Sequence, residues 1–209
     1  MKRKLKLHQV VKKLKEKKMN LFTPLDFRRV FDVSNWACRW FIKIHTKEGD
    51  FIKLRKGLYM LADHPVNYYL IANRLYEPSY ISFDAALSFY GIIPETIYTI
   101  ISATPKTTRE CKVENIRFVY HKLKKGTYTG YKAIKHQDST ILIAEAEKAL
   151  ADYLYFIELK KRNFSYERLN LKKIKKSKLV AYVKLFKRPR MNKLIEKIYA
   201  EFRKPKRIY

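Results

Sequence analysis

Three groups of side chains in this 209-residue chain have the composition to do chemistry. They are a set of acids, a scatter of histidines and cysteines, and the amide, indole and guanidinium of Asn35, Trp36 and Arg39. The acids are Glu145, Glu147 and Asp152, with Asp138 upstream and Lys148 among them. Carboxylates in such number can hold a divalent ion, as metal-dependent nucleases do. Those nucleases use a Glu-x-Lys spacing, and here Lys148 directly follows Glu147. Carboxylates at a helix start have a simpler role in complementing the helix dipole. His8, His45, His64, His121 and His136 show no HxxxH or Cys-His spacing. Cys38 and Cys111 lie far apart and read as reduced thiols. No GxGxxG or Walker loop occurs, and only 5 residues are glycine. No catalytic residue, metal or cofactor is therefore expected, and the chain reads as a non-enzyme.

Asn35, Trp36 and Arg39 point to recognition instead. Asn and Arg side chains near a helix N-terminus suit bidentate reading of base edges in a DNA major groove. The charge of the chain supports such a partner. The formal net charge is +28, and it is uneven. Residues 1–60 carry 17 basic and 5 acidic side chains, and residues 161–209 carry 18 and 3. Residues 61–160 are nearly balanced, at 12 and 11. A uniform lysine bias would have raised the centre too. Two basic blocks favour a polyanion, nucleic acid before anionic membrane. No run of signal-peptide or transmembrane length is present, so a soluble, cytoplasmic protein without a membrane partner is expected.

The elements that must position these groups follow from periodicity. Leu7, Val10, Val11 and Leu14 fall at helical spacing. Thr23-Pro24 starts a second helix, with Leu25, Phe27, Val30 and Phe31 inward and Arg28-Arg29 partly outward. Ser34 can cap a third. In that helix Ala37, Trp40, Phe41 and Ile44 are expected to face the core, leaving Trp36, Arg39 and Lys43 opposite, beside Asn35. Two alternating runs, 51–54 and 58–61, joined by Arg55-Lys56-Gly57, read as a hairpin with a basic tip. Three helices and such a hairpin spell a winged helix-turn-helix over 1–62. The expected DNA contacts are Arg28, Arg29, Ser34, Asn35, Trp36, Arg39, Lys43, Lys53, Arg55 and Lys56.

Residues 63–160 read as an α+β domain with a small, mostly antiparallel sheet. A helix from about Val66 to Tyr76 is followed by the near-neutral stretch YISFDAALSFYGIIPE at 80–95. Ser82 is placed as an N-cap and Gly91 as the C-cap glycine, with Pro94 blocking resumption. Strands are expected over 96–103, 114–123, 131–136 and 140–143. Ala146, Ala149, Leu150, Tyr153, Leu154 and Ile157 then mark a long helix, with Glu145 and Glu147 in its first turn. The remainder, 161–209, reads as basic helices. Arg190, Lys193, Lys197 and Lys204 lie together on an exposed face there and form a candidate second polyanion surface.

The ordered set Leu54-Arg55-Lys56-Gly57-Leu58-Tyr59, Tyr80-Ile81-Ser82 with Tyr90-Gly91-Ile92-Ile93-Pro94-Glu95, and Glu147-Lys148-Ala149-Leu150 with Asp152 resembles the AbiEi family over about residues 20–160. These are antitoxins of abortive-infection type IV toxin–antitoxin systems. The resemblance implies a transcriptional regulator that binds double-stranded DNA at inverted repeats and represses its own operon. It also implies a nucleotidyltransferase-like toxin as functional partner, counteracted without a stable complex. One departure is Ala-Glu-Ala-Glu-Lys at 144–148, where the family often has Thr-Pro before Glu-Lys-Ala. The alternative is an RNA- or protein-binding neutraliser whose winged helix serves only for docking.

Overall fold

The computed structural model describes residues 5–63, 67–94, 98–160 and 169–203. The chain is mixed α+β, with eight α-helices and two mostly antiparallel sheets among these residues. It divides into two compact units, Met1–Asn67 and Tyr68–Tyr209.

The first unit contains α1 (Leu7–Glu16), β1 (Leu21–Phe22), α2 (Pro24–Phe31), α3 (Asn35–Lys47), β2 (Phe51–Arg55) and β3 (Leu58–Leu61). Thr23 and Asp26 form a reciprocal capping box at the start of α2. Asp32, in the left-handed conformation at φ 49°, ends the helix. Ser34 then accepts a hydrogen bond from the Ala37 amide at 3.2 Å and starts α3. The two helices are thus joined by three residues with a defined cap on either side. The strands run β1-β3-β2, with Phe51 opposite Leu61 and Lys53 opposite Tyr59. Gly57 takes φ +79° at the hairpin tip, a conformation that side chains resist. β1 has only two residues and so shows no alternation in the sequence.

An aromatic core holds this unit together. Phe22, Phe27 and Phe51 are fully buried, with Phe22 5.2 Å from Phe51 and Phe27 5.6 Å from Phe41. Each such ring contributes about 1.5–3 kcal/mol by burial. Two expected core positions are corrected here. Trp40 is 52% exposed and Leu25 51%. The buried stripe of α3 is Cys38, Phe41 and Ile42, turned one residue from the expected one.

The second unit is built on a six-stranded sheet of order β6-β7-β5-β4-β9-β8. Its strands are β4 (Tyr80–Ile81), β5 (Thr99–Thr104), β6 (Arg109–Val113), β7 (Ile116–Lys122), β8 (Tyr131–His136) and β9 (Ser139–Ala144). The sheet exceeds the three or four strands expected, since β4 and β6 join it. Three pairings are antiparallel; β5–β7 and β4–β9 are parallel. Helix α4 (Tyr68–Leu75) covers one face. Tyr120 donates to the Ala72 carbonyl at 2.7 Å, and Asn73 bonds both backbone groups of Leu142. Val66 and Thr96, the expected first residues of this helix and of β5, lie outside the described residues.

On the other face lie α5 (Phe83–Phe89) and α6 (Ala146–Glu158). Helix α5 ends as expected. Gly91 at φ +62° lets its amide reach Ser88 and the Ile92 amide reach Leu87, a Schellman closure. Its start differs. Ser82 makes no cap bond; its hydroxyl donates to Asp152 at 2.7 Å instead. Phe83 follows at φ +53° and is fully buried against Phe156, 5.0 Å away.

Helix α6 is buried almost all round, as a central helix must be. Lys148 and Asp152 form an ion pair one turn apart with both side chains fully buried. Tyr80 also donates to the Asp152 carboxylate, at 3.2 Å. Burial raises the Asp152 pKa and lowers that of Lys148, while their mutual attraction opposes both shifts. Helices α7 (Lys176–Lys184) and α8 (Pro189–Arg203) pack on the other side of α6.

Removing one member of a buried pair leaves an uncompensated ion. Lys148→Met should therefore cost about 3–5 kcal/mol in urea unfolding. The double change Lys148→Met with Asp152→Asn keeps an acceptor for Tyr80 and Ser82 and should recover most of that loss.

Candidate nucleic-acid interface

The stripe of α3 that enters the core decides what the rest of the helix offers. With Cys38, Phe41 and Ile42 inward, Asn35, Trp36, Arg39, Trp40 and Lys43 all remain exposed. Trp36 and Trp40, one turn apart, stack with centroids 6.2 Å apart and rings 15° from parallel. They are 73% and 52% exposed. Helical spacing with Ala37, Phe41 and Ile44 predicts Trp40 inward. The competing stripe shares Phe41 with the expected one, and periodicity alone did not separate them.

A groove of about 510 Å³ runs between α3 and the β2–β3 hairpin. Arg39 and Lys43 line it from the helix, Lys53 and Lys56 from the hairpin, and Tyr59 from β3. No acid lines it. The four cations were expected to act together, and the fold places them around one concavity. The hairpin's share lies on one face of β2: Lys53 and Arg55, two residues apart, are both exposed, and Lys56 follows them in the turn. Arg55 bonds the Lys56 carbonyl at 3.2 Å. Arg28 and Arg29 are exposed on α2, and Ser34 is exposed at its cap. A surface like this can hold phosphates with its lysines and present an amide, a guanidinium and two indoles to base edges or sugars.

The other groups with chemical potential have separate structural partners. Glu145 accepts from Tyr182 and pairs with Lys178 at 2.8 Å. Glu147 accepts from the Lys175 amide at 3.1 Å, so it caps the start of α7 rather than serving only its own helix. Asp152 is held by Lys148, Tyr80 and Ser82. Asp138 is exposed in the turn between β8 and β9. Among the described residues, one group of side chains is close enough to share a cation: His45, Glu48 and Asp50. His45 Nδ1 lies 2.9 Å from an oxygen of each carboxylate, a set of polar contacts that closes the α3–β2 turn. On α8, Arg190, Lys193 and Lys197 are exposed; Lys204 lies outside the described residues. No described helix is long and apolar enough to cross a membrane.

No family model matches the chain, and no curated protein matches it.

Both tryptophans of the protein, Trp36 and Trp40, are on this one surface. Its intrinsic tryptophan emission should therefore be that of solvated indole in the free protein. It should shift and change in intensity when double-stranded DNA is added, and Lys43→Ala with Lys56→Ala should move that titration to higher DNA concentration.

Proposed function

We propose that this chain is a double-stranded DNA-binding repressor of the winged helix-turn-helix type. In this reading α2 and α3 are the helix-turn-helix, α3 enters the major groove, and the β2–β3 hairpin is the wing. The observation that carries it is the acid-free groove between α3 and the hairpin, with Arg39, Lys43, Lys53 and Lys56 converging on it. Asn35, Trp36 and Arg39 read bases from the first turns of α3. The lysines, with Arg28, Arg29 and Arg55, hold backbone phosphate and set the register. Ser34 holds the helix start in position.

The biological role in this reading rests on the resemblance of the ordered residues 54–59, 80–95 and 147–152 to the AbiEi family. The protein acts as the antitoxin of a type IV toxin–antitoxin pair. It represses its own operon at inverted repeats and counteracts a nucleotidyltransferase-like toxin encoded beside it. The second unit carries that counteraction.

Gel shifts on the DNA upstream of the protein's own gene test the first part. Arg39→Ala should cost roughly 1–3 kcal/mol at the specific site, as loss of one bidentate base contact does. Random-sequence DNA should be affected much less; equal loss on both would remove base reading. Lys56→Ala should weaken all sequences alike and reduce the salt dependence by about 0.9 in log–log slope. In cells, Arg39→Ala should relieve repression while protection from the neighbouring toxin persists.

A further inference from the structure

The second unit carries a basic trough that the DNA-binding reading does not use. One part lies where the β5–β7–β6 end of the sheet emerges from under α6. Residues Arg117, Val119 and His121 alternate along β7 and face it, while Phe118 and Tyr120 face α4. This part measures about 920 Å³ and is bounded by Tyr155 and Phe156 of α6. A second part, about 650 Å³, lies between the end of α6 and the start of α8. Lys124 lines both. Tyr155 joins them as well: its ring lies 4.6 Å from that of Phe186 of the second part, tilted by 33°, and Arg188 lies 5.8 Å over it.

Charge and shape together suggest what the trough holds. Arg117, Lys122, Lys124, Lys187, Arg188 and Arg190 line it against two carboxylates, Glu110 and Glu158. Each carboxylate pairs with an arginine, Glu110 with Arg117 at 2.9 Å and Glu158 with Arg188 at 3.0 Å. The lining therefore has a large positive surplus. It also has two half-buried rings, His121 and Tyr155, and the hydroxyls of Thr99 and Thr108. A basic channel with ring faces in its wall is the arrangement that tracks a single nucleic-acid strand. A duplex presents its phosphates on a broad convex surface and is poorly suited to a channel recessed between a sheet and a helix end. Of the expected second surface, Arg190 belongs here, and Lys193 and Lys197 follow it on α8.

We propose that the trough formed by β7, the segment after it and the α6–α8 junction binds single-stranded nucleic acid, independently of the α3 groove.

The test uses the full chain with the α3 groove neutralised by Arg39→Ala, Lys43→Ala, Lys53→Ala and Lys56→Ala. Fluorescence anisotropy follows labelled oligo(U) and oligo(dT) of about 12 nucleotides, and a duplex of random sequence. The background variant should still bind the strands. Adding Lys122→Ala, Lys124→Ala and Lys187→Ala should weaken strand binding about tenfold or more and lower the salt slope by about 2. All three lysines are exposed, so the fold is not at risk, and thermal unfolding checks this. Tyr155→Leu should weaken binding with the salt slope unchanged, and Tyr155→Phe should restore it. Tighter binding of oligo(U) than oligo(dT) assigns the site to RNA; equal binding assigns it to either strand. Two results overturn the proposal: strand binding that the trough substitutions leave intact, and a loss on duplex equal to the loss on single strands. Failure of the α3 reading would appear separately, as operator binding in the otherwise unaltered protein that Arg39→Ala leaves unchanged.

Discussion

The ion pair of Lys148 and Asp152 is the constraint on which the second unit depends. Taking two such ions out of water costs several kcal/mol each, so the site is stable only while every compensating contact is made. The contacts come from different parts of the chain. Tyr80 belongs to β4, Ser82 lies just before α5, and Phe186 follows α7 with its ring 5.1 Å from the lysine nitrogen. This leaves α6 one rotation in which the pair is satisfied. Other features follow from it. The Ser82 hydroxyl is unavailable for capping, and Phe83 starts its helix at a positive φ, held by burial. The low charge of the surrounding stretch is that of an interior: most of residues 80–87 are buried.

The first unit solves a different problem. It must expose many like charges on few residues and still fold. Its core is aromatic, with Phe22, Phe27, Phe41 and Phe51 in mutual contact. Large rings bury much area per residue, which leaves the remaining positions free to carry lysine and arginine. Tight caps at Thr23 and Ser34 fix α2 and α3 through short-range hydrogen bonds that do not depend on the charged face. The groove between α3 and the hairpin is thus supported from behind, and its cations can be neutralised with little effect on the core.

Much of this was legible in the sequence. The caps at Thr23 and Ser34, the hairpin with its glycine, the end of α5 at Gly91 and the long α6 follow from local signals that tertiary packing did not override, whereas the Ser82 hydroxyl is drawn from its cap to Asp152. Other features depended on contacts between distant residues. β1 and β4 are two residues each and have no period to detect. β6, Arg-Glu-Cys-Lys-Val, shows no apolar alternation, because it lies at the margin of the sheet and exposes most of its side chains. Trp40 required a choice between two stripes offset by one residue. The acids of α6 followed the dipole rule in position, but Glu145 and Glu147 reach across to α7. The trough draws on β7, α6 and the start of α8, and no window of the sequence contains it.

The margins of the large sheet have a consequence for how copies of the protein behave together. An unpaired strand invites another strand to add to it, and natural sheets block this with charge. β6 presents Arg109, Glu110 and Lys112 to solvent, and β8 presents Lys132 and Lys135. Two molecules approaching edge to edge would bring like charges together before backbone pairing could form. Strand addition is thereby discouraged at both ends of this sheet.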